Sequence, residues 1–150
     1  MKYPGQNRHL KSIILLEPDC PGKRKHALKL HLNSPDGRYQ FTGYGDDHVL
    51  VNGQRLDFGL VVSPTLLERE IFRGLTFEAL ELSHFEWMRA QEAGIVLLGT
   101  GAKLRFPHPS LTRPLIEAGI GLEVMDTGAA CRTYNLLASE GRKVLAAILA

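Results

Sequence analysis

One short run of apolar residues, Ile95 to Leu98, constrains the fold more than any other part of the chain. It follows Gly94, precedes Gly99-Thr100-Gly101 and contains no polar residue. Such a run is typical of a strand that is covered on both faces, as in sheets flanked by helices. The run therefore predicts a buried strand at the centre of an α/β fold.

Helices and strands alternate around this run. In such an alternation, neighbouring strands are parallel and are joined by right-handed crossovers. The first helix has a capping pattern at Ser83 and Glu86, and the last is capped by Asp126 and Thr127. The predicted elements are a helix over 83–93, the strand over 95–98, a helix over 109–118, a strand over 120–125, a helix from about 128 and a strand over 144–149.

Each of the last two helices has a predicted apolar face. Three residues in the helix over 109–118 share one face, as do three in the final helix, so both helices are expected to pack on the sheet. The residues are Leu111, Leu115 and Ile116 in the first and Ala130, Thr133 and Leu137 in the second.

The front half of the domain is predicted to be rich in β-strands. The alternation from Arg38 to Thr42 indicates a half-buried strand, which Gly43 to Asp47 is expected to break. A strand over 48–51 leads into Asn52-Gly53, a strong hairpin signal. A further strand over 60–63 ends at Pro64.

Positive charge is concentrated at the start of the chain. Residues 1–34 carry seven lysines and arginines against two acidic residues, a net charge of +5, whereas the rest carries −3. This pattern predicts a basic N-terminal arm or peripheral strand over 1–34, followed by a single α/β domain over 35–150. No aromatic residues interleave with Lys23-Arg24-Lys25, so we expect no nucleic-acid binding.

Composition narrows the location and the chemistry. No apolar run reaches the ~20 residues that a membrane span needs, so we expect no membrane insertion. The first residues lack a secretory pattern, which indicates the cytoplasm. Cys20 and Cys131 have no metal-ligand spacing and are expected to be free thiols. We expect neither a metal nor a cofactor.

Two groups of residues are candidates for a ligand site. Gly99, Thr100 and Gly101 follow the buried strand, where ligands bind in open α/β sheets, and Arg105 could add charge. Their alternative role is a tight turn. Cys131 lies in the first turn of a helix, where a thiol pKa falls, and Arg132 adjoins it. The alternative for Cys131 is a buried packing residue, and no catalytic residue is assigned.

Several segments together resemble a known family of small α/β domains, which includes the mitochondrial respiratory complex I assembly factor three and bacterial members mostly of unknown function. The resemblance covers about residues 35–149 and implies a three-layer fold, with a central mixed sheet flanked by helices and an additional β-rich N-terminal part. It implies no established catalytic residues. The segments are 41–45, 61–64, 97–101, 105–107, 119–127, 130–137 and 140–142.

Two hypotheses about function follow. The first is a non-enzymatic protein-binding or assembly module related to respiratory complex I assembly, with protein partners or further copies of the chain. It draws on the resemblance, on the lack of a catalytic constellation and on Phe85 and Trp87, which are expected to be exposed. The second is a small-ligand-binding protein or an enzyme that uses a cleft near Gly99–Gly101 and Cys131. The residues favour the first and leave enzymatic activity open.

Overall fold

The computed structural model describes residues 27–29 and 37–150 of the chain. Two sheets and three α-helices make up this part, with a 3₁₀ turn over Phe77–Ala79. The elements, in chain order, are β1 (Ala27–Lys29), β2 (Phe41–Gly45), β3 (His48–Val51), β4 (Gln54–Asp57), β5 (Leu60–Ser63), β6 (Leu66–Glu68), α1 (Leu82–Ala90), β7 (Ile95–Gly99), α2 (Pro109–Glu117), β8 (Gly121–Met125), α3 (Thr127–Ser139) and β9 (Val144–Ile148).

The two sheets differ in the direction of their strands. The first is antiparallel with the order β1-β2-β3-β4, and its β3–β4 hairpin turns at Asn52 and Gly53, with φ of 50° and 84°. The second is mixed with the order β6-β5-β9-β7-β8. In this sheet, β7 is parallel to its neighbours β9 and β8, whereas β5 is antiparallel to its neighbours β6 and β9. The predicted hairpin and the predicted α/β class with a mixed sheet are confirmed.

Strand β7 is buried on both faces, as its unbroken apolar sequence predicts. Leu97 points into a core that the four-stranded sheet and α3 share with one face of the mixed sheet. Val96 and Leu98 point into a second core, formed by the other face with α1 and α2. All three side chains are fully buried. The mixed sheet therefore separates two hydrophobic cores.

Helix α3 holds the two sheets together. The buried Asn135 side chain contacts Phe41 twice: its Oδ1 accepts from the Phe41 N–H at 3.0 Å, and its Nδ2 donates to the Phe41 carbonyl at 2.7 Å. The hydroxyl of the preceding residue, Tyr134, donates to the Tyr39 carbonyl at 2.9 Å. Because α3 also packs on β7 and β9, it fixes β2 relative to the mixed sheet.

The structure corrects several predictions about local elements. Strand β2 runs over 41–45 instead of 38–42, because it continues through the predicted break with a bulge between Phe41 and Gly43. Helix α1 begins earlier than predicted, since the capping residues are Glu81 and His84, whose Nδ1 accepts from the Glu81 N–H at 3.0 Å. The short strand β6 was not predicted.

Burial corrects three further predictions. Phe85, expected to be exposed, is fully buried in the second core, and Trp87 packs partly against it. Ile116, expected to face the sheet, is 64% exposed, because Leu111 and Leu115 occupy the inward side of α2. The predicted face of α3 is broader than expected, since Cys131 and Tyr134 are also buried there.

The start of the chain lies largely outside the described residues, including Lys23-Arg24-Lys25 and Cys20. Residues 27–29 form β1 at the edge of the four-stranded sheet. The division at residue 35 therefore stays a prediction. Among the described residues, no helix combines the length and apolar character that crossing a membrane requires.

Candidate functional site

A cleft of about 450 Å³ opens where β7 and β8 end and α3 begins. Its walls are formed by the β7–α2 loop, by the first turns of α3, by the four-stranded sheet and by the turn that follows β4. The residues that line it are Tyr44, Gly45, Asp46, Phe58, Gly101, Ala102, Asp126, Thr127, Gly128 and Arg132. The position is the one that parallel α/β sheets commonly use for ligands.

The two glycines at the end of β7 are required for different reasons. Gly101 has φ of +92°, a conformation that other residues rarely adopt. A β-carbon on Gly99 would lie 3.0 Å from Ile148 Cδ1, 3.2 Å from Ala130 Cβ and 3.3 Å from Thr127 Cα. Gly99 therefore lets α3 approach the sheet, and Gly101 forms the turn.

Thr100, between the glycines, points away from the cleft. It is fully buried, and its hydroxyl donates to the Lys103 carbonyl at 2.6 Å and accepts from the Arg105 N–H at 3.2 Å. The hydroxyl thus holds the β7–α2 loop closed. Thr100 also borders a second cavity of about 740 Å³ that adjoins the cleft through Gly101 and Ala102.

Arg105 lines the second cavity, but its charge is already paired. Its Nη1 lies 2.5 Å from Glu78 Oε2, and its guanidinium stacks 4.6 Å from the centre of the Phe77 ring. A ligand would therefore have to compete with Glu78 for this guanidinium. Lys103, Asp47 and Asp57 line the same cavity.

Cys131 lies outside the cleft, although its neighbour Arg132 lines it. The Cys131 side chain is fully buried in the core beneath α3. Burial raises the pKa of its thiol far above the ordinary value of 9.0, and the smaller effect of Arg132 in the opposite direction does not compensate. The structure thus places Cys131 with the packing residues and separates it from Gly101 and Arg132.

Arg132 and Tyr44 form one wall of the cleft. Arg132 Nη1 donates to the Tyr44 hydroxyl, and its guanidinium lies 5.9 Å from the centre of the Tyr44 ring. The ring lies over Gly128, where a β-carbon would be 2.8 Å from Tyr44 Cε2. Tyr44 was not predicted as a site residue, because the glycines on either side of it indicate a strand break in the sequence.

The start of α3 is already capped by groups of the chain itself. The Asp126 carboxylate accepts from the Ala129 N–H at 2.8 Å, and the Thr127 N–H donates to the Gly101 carbonyl at 2.9 Å. These bonds occupy amides that could otherwise bind an anion. The lining of the cleft nevertheless carries charges of both signs, from Asp46, Asp126 and Arg132.

The lining provides little chemistry for covalent catalysis. Among the described residues around this cleft there is no histidine or cysteine, and the Thr127 hydroxyl accepts from the Gly101 N–H at 3.1 Å. The neighbouring carboxylate, Asp126, caps α3 by accepting from the Ala129 N–H, and none of the bonds described in this lining joins it to the Thr127 hydroxyl as a base would require. Nor do the described residues contain a group of three side chains suited to hold a metal ion.

Known proteins are similar to this chain in fold and in sequence. The chain is 32% identical over 131 residues to NADH dehydrogenase (ubiquinone) 1 alpha subcomplex assembly factor 3 of Bos taurus, a match that covers 85% of this chain and 68% of that protein. A crystal structure of a Bordetella parapertussis protein matches with a TM-score of 0.70 at 30% identity, over 77% of this chain and 98% of the other.

A solution structure of a Bordetella pertussis protein, described as an Mth938-like domain, matches with a TM-score of 0.67 at 26% identity, over 81% of this chain and 92% of the other. The model of a family described as a protein of unknown function, DUF498/DUF598, matches residues 41–149. That range contains every element from β2 to β9. The chain therefore belongs to the DUF498/DUF598 family.

Proposed function

We propose that this chain is a non-enzymatic protein-binding module that acts in the assembly of a respiratory complex I. The observation that carries the proposal is the 32% identity to an assembly factor of the ubiquinone-linked NADH dehydrogenase, over 85% of this chain. The role is carried over from that assembly factor by analogy.

Features of the surface support a binding role. Leu104 and Phe106, in the loop after β7, are 52% and 71% exposed. Apolar side chains exposed together on one loop are typical of surfaces that bind other proteins. The buried, protonated thiol of Cys131 and the lack of a histidine or cysteine in the cleft lining support a role without covalent catalysis.

The experiment that tests this function is deletion of the gene in the source organism. We expect membranes of the deletion strain to contain less assembled complex I, measured on native gels and by NADH oxidation, with recovery on complementation. Accumulation of partly assembled complexes would distinguish an assembly role from a catalytic one. A normal amount of the complete complex in the deletion strain would contradict the proposal.

A small-ligand-binding function is the second candidate, favoured by the two adjoining cavities of about 450 and 740 Å³. The ligand would be a polar molecule between Arg132, Asp46 and the Gly101 turn. Screening metabolites by thermal shift tests this function, because a ligand that binds only the folded state raises the melting temperature. The same screen with Arg132→Gln identifies ligands that use the cleft.

A further inference from the structure

Strand β8 is the outermost strand of the mixed sheet, and its backbone groups divide between an inner and an outer side. The Gly121 N–H donates to the Gly94 carbonyl at 3.1 Å, and the Met125 carbonyl accepts from the Thr100 N–H at 2.9 Å. In a parallel ladder every second residue bonds to the same neighbour, so Gly121, Glu123 and Met125 face β7. The N–H and C=O groups of Leu122 and Val124 therefore point outward.

Nothing in the described part of the chain pairs with these outward groups. Within residues 27–29 and 37–150, no hydrogen bond outside the β7 ladder involves the backbone of Leu122 or Val124. Of the usual protections of an edge, β8 has one charged residue, Glu123, and no proline, lysine or bulge. The opposite edge of the sheet, β6, is protected by its length of only three residues.

An apolar side chain borders this edge from above. Residues of α2 that line the groove towards α1 include Arg113, Pro114 and Glu117. At about 100° per residue, Ile116 lies on the opposite flank of α2. Because α2 contacts β8 and α1 packs on the inner strands, that flank borders the outer edge of β8. The Ile116 side chain, which is 64% exposed, can therefore pack against an apolar side chain of a strand added beside β8.

The side chains of β8 indicate what would fit beside them. Leu122 and Val124 point to the same side as Ile116, towards the second core. Glu123 points to the other face, is exposed, and has no ion-pair partner among the described residues. An added strand would place apolar side chains opposite Leu122 and Val124 and a basic one opposite Glu123, since opposite charges stabilise such cross-strand pairs.

We propose that β8 is the docking edge for an extended segment of a partner protein with alternating apolar and basic residues, which adds a sixth strand to the mixed sheet. The inference rests on the proposed protein-binding function and names the surface and the class of partner. Main-chain hydrogen bonds provide affinity in this mode of binding, and alternate side chains provide specificity. A second copy of β8 fits less well, because pairing centred on Glu123 would place two carboxylates opposite each other.

Amide hydrogen exchange tests the free edge directly. In the protein alone, the Leu122 and Val124 amides should exchange fast, whereas the Glu123 amide, in the β7 ladder, should exchange slowly. Slow exchange of Leu122 and Val124 in the protein alone would mean that the edge is already covered, and would overturn the proposal. Protection that rises with protein concentration would assign the edge to a second copy and overturn it equally.

A peptide tests the partner chemistry. The probe is a capped nonapeptide of alternating valine and lysine at about 1 mM, where even weak binding populates the complex. It should slow exchange at Leu122 and Val124, and the same peptide with N-methylated backbone amides should not. A valine–glutamate peptide should bind more weakly, and Glu123→Lys should reverse that preference. No added protection with the valine–lysine peptide would overturn the proposal.

Variants separate docking from folding. Ile116→Ser should weaken peptide binding by about tenfold through the loss of apolar contact. The matched control is Leu136→Ser, which changes a leucine that is 59% exposed on the outer side of α3 and should not alter binding. Val124→Pro should abolish binding yet fold, because it removes an outward N–H and leaves the inner ladder intact. Equal affinities for Ile116→Ser and Leu136→Ser would overturn the placement at this edge.

Complementation distinguishes failure of this inference from failure of the proposed function. In the deletion strain, the Val124→Pro gene should fail to restore complex I, whereas the Leu136→Ser gene should restore it. Full restoration by Val124→Pro would refute the β8 edge and leave the assembly function standing. If deletion itself did not affect complex I, the assembly function would fail, and the peptide experiments alone would decide on the edge.

Discussion

Gly59 and Gly74 approach so closely that a β-carbon on Gly59 would lie 2.3 Å from the backbone nitrogen of Gly74. The same β-carbon would lie 2.3 Å from the Phe72 carbonyl oxygen, and Gly59 also has φ of +90°. Both obstacles are backbone atoms, which cannot move aside as a side chain can. Gly59 therefore fixes the path of the segment before α1 across the start of β5.

We expect Gly59→Ala to lower the free energy of unfolding by about 4 kcal/mol or more, a loss at the extreme end for a single substitution. The control is Gly53→Ala, which has a similar φ of +84° but no atom within 4 Å. It should cost only about 1–2 kcal/mol for the left-handed backbone. Urea unfolding of both variants separates collision from backbone strain, and equal losses would contradict this explanation.

The double hydrogen bond between Asn135 and Phe41 predicts a large effect of a small change. Asn135→Ala should destabilise the protein by about 2–4 kcal/mol, because it leaves a buried N–H and a buried C=O without a partner. Asn135→Asp keeps the size and the acceptor but loses the Nδ2 donor, so it should also destabilise. Thermal unfolding measures both, and a loss below 1 kcal/mol for the alanine variant would argue against the bridge.

Cys131 predicts a dependence of stability on alkaline pH. Because burial raises its pKa in the folded state, the thiol ionises only after unfolding as the pH passes the ordinary value of 9.0. Stability is therefore complete below pH 9.0 and should fall above it, by at most about 1.4 kcal/mol per pH unit for this group. Cys131→Ala should reduce the slope just above that pH, and an unchanged slope would contradict a buried, protonated thiol.

The same burial predicts slow alkylation of Cys131. Native protein should react with iodoacetamide at this thiol far more slowly than unfolded protein, as mass spectrometry of the modified peptides would show. Cys131→Ser should fold, with a loss on the order of 1–2 kcal/mol for placing a hydroxyl in the core. Equal alkylation rates in native and unfolded protein would instead support the hypothesis that Cys131 is a reactive cysteine.

Thr100 predicts a local effect without global unfolding. Thr100→Val keeps the shape of the side chain but removes the hydroxyl that joins Lys103 and Arg105. We expect faster amide exchange over residues 101–106 and a loss of about 1–2 kcal/mol, as for other buried hydrogen bonds. Exchange at the start of β9, which pairs with the start of β7 at the other end of the sheet, is the internal control. Unchanged exchange in the loop would contradict the role of the hydroxyl.

Local sequence signals predicted much of the fold. The run Ile95–Leu98 indicated a strand with two covered faces, and Asn52-Gly53 indicated the hairpin, because each depends on neighbouring residues alone. The predicted cap of α1 was wrong. Ser83 with Glu86 and Glu81 with His84 have the same spacing, so neighbouring residues alone do not distinguish the two pairs, and the structure uses Glu81 and His84. The three residues of β6 carry too short a pattern to be recognised.

The site was harder to predict because it depends on contacts between distant segments. Cys131 and Arg132 are neighbours, yet the direction of α3 sends one into the core and the other into the cleft. Tyr44 reaches Arg132 across 88 residues of sequence, and only the arrangement of the two sheets brings them together. The sequence singled out Gly99 and Gly101 together. Only the structure shows that Gly99 is needed for close packing and Gly101 for the turn.

The bridge between α3 and β2 also has a consequence for divergence within the family. Asn135 binds main-chain atoms of Phe41, so it recognises the course of the strand and is indifferent to the side chain at position 41. These two hydrogen bonds can form with different side chains at position 41, provided that the asparagine and the strand geometry are kept. The relative position of the two sheets is therefore set partly through the backbone, while the core that they share still couples their side chains.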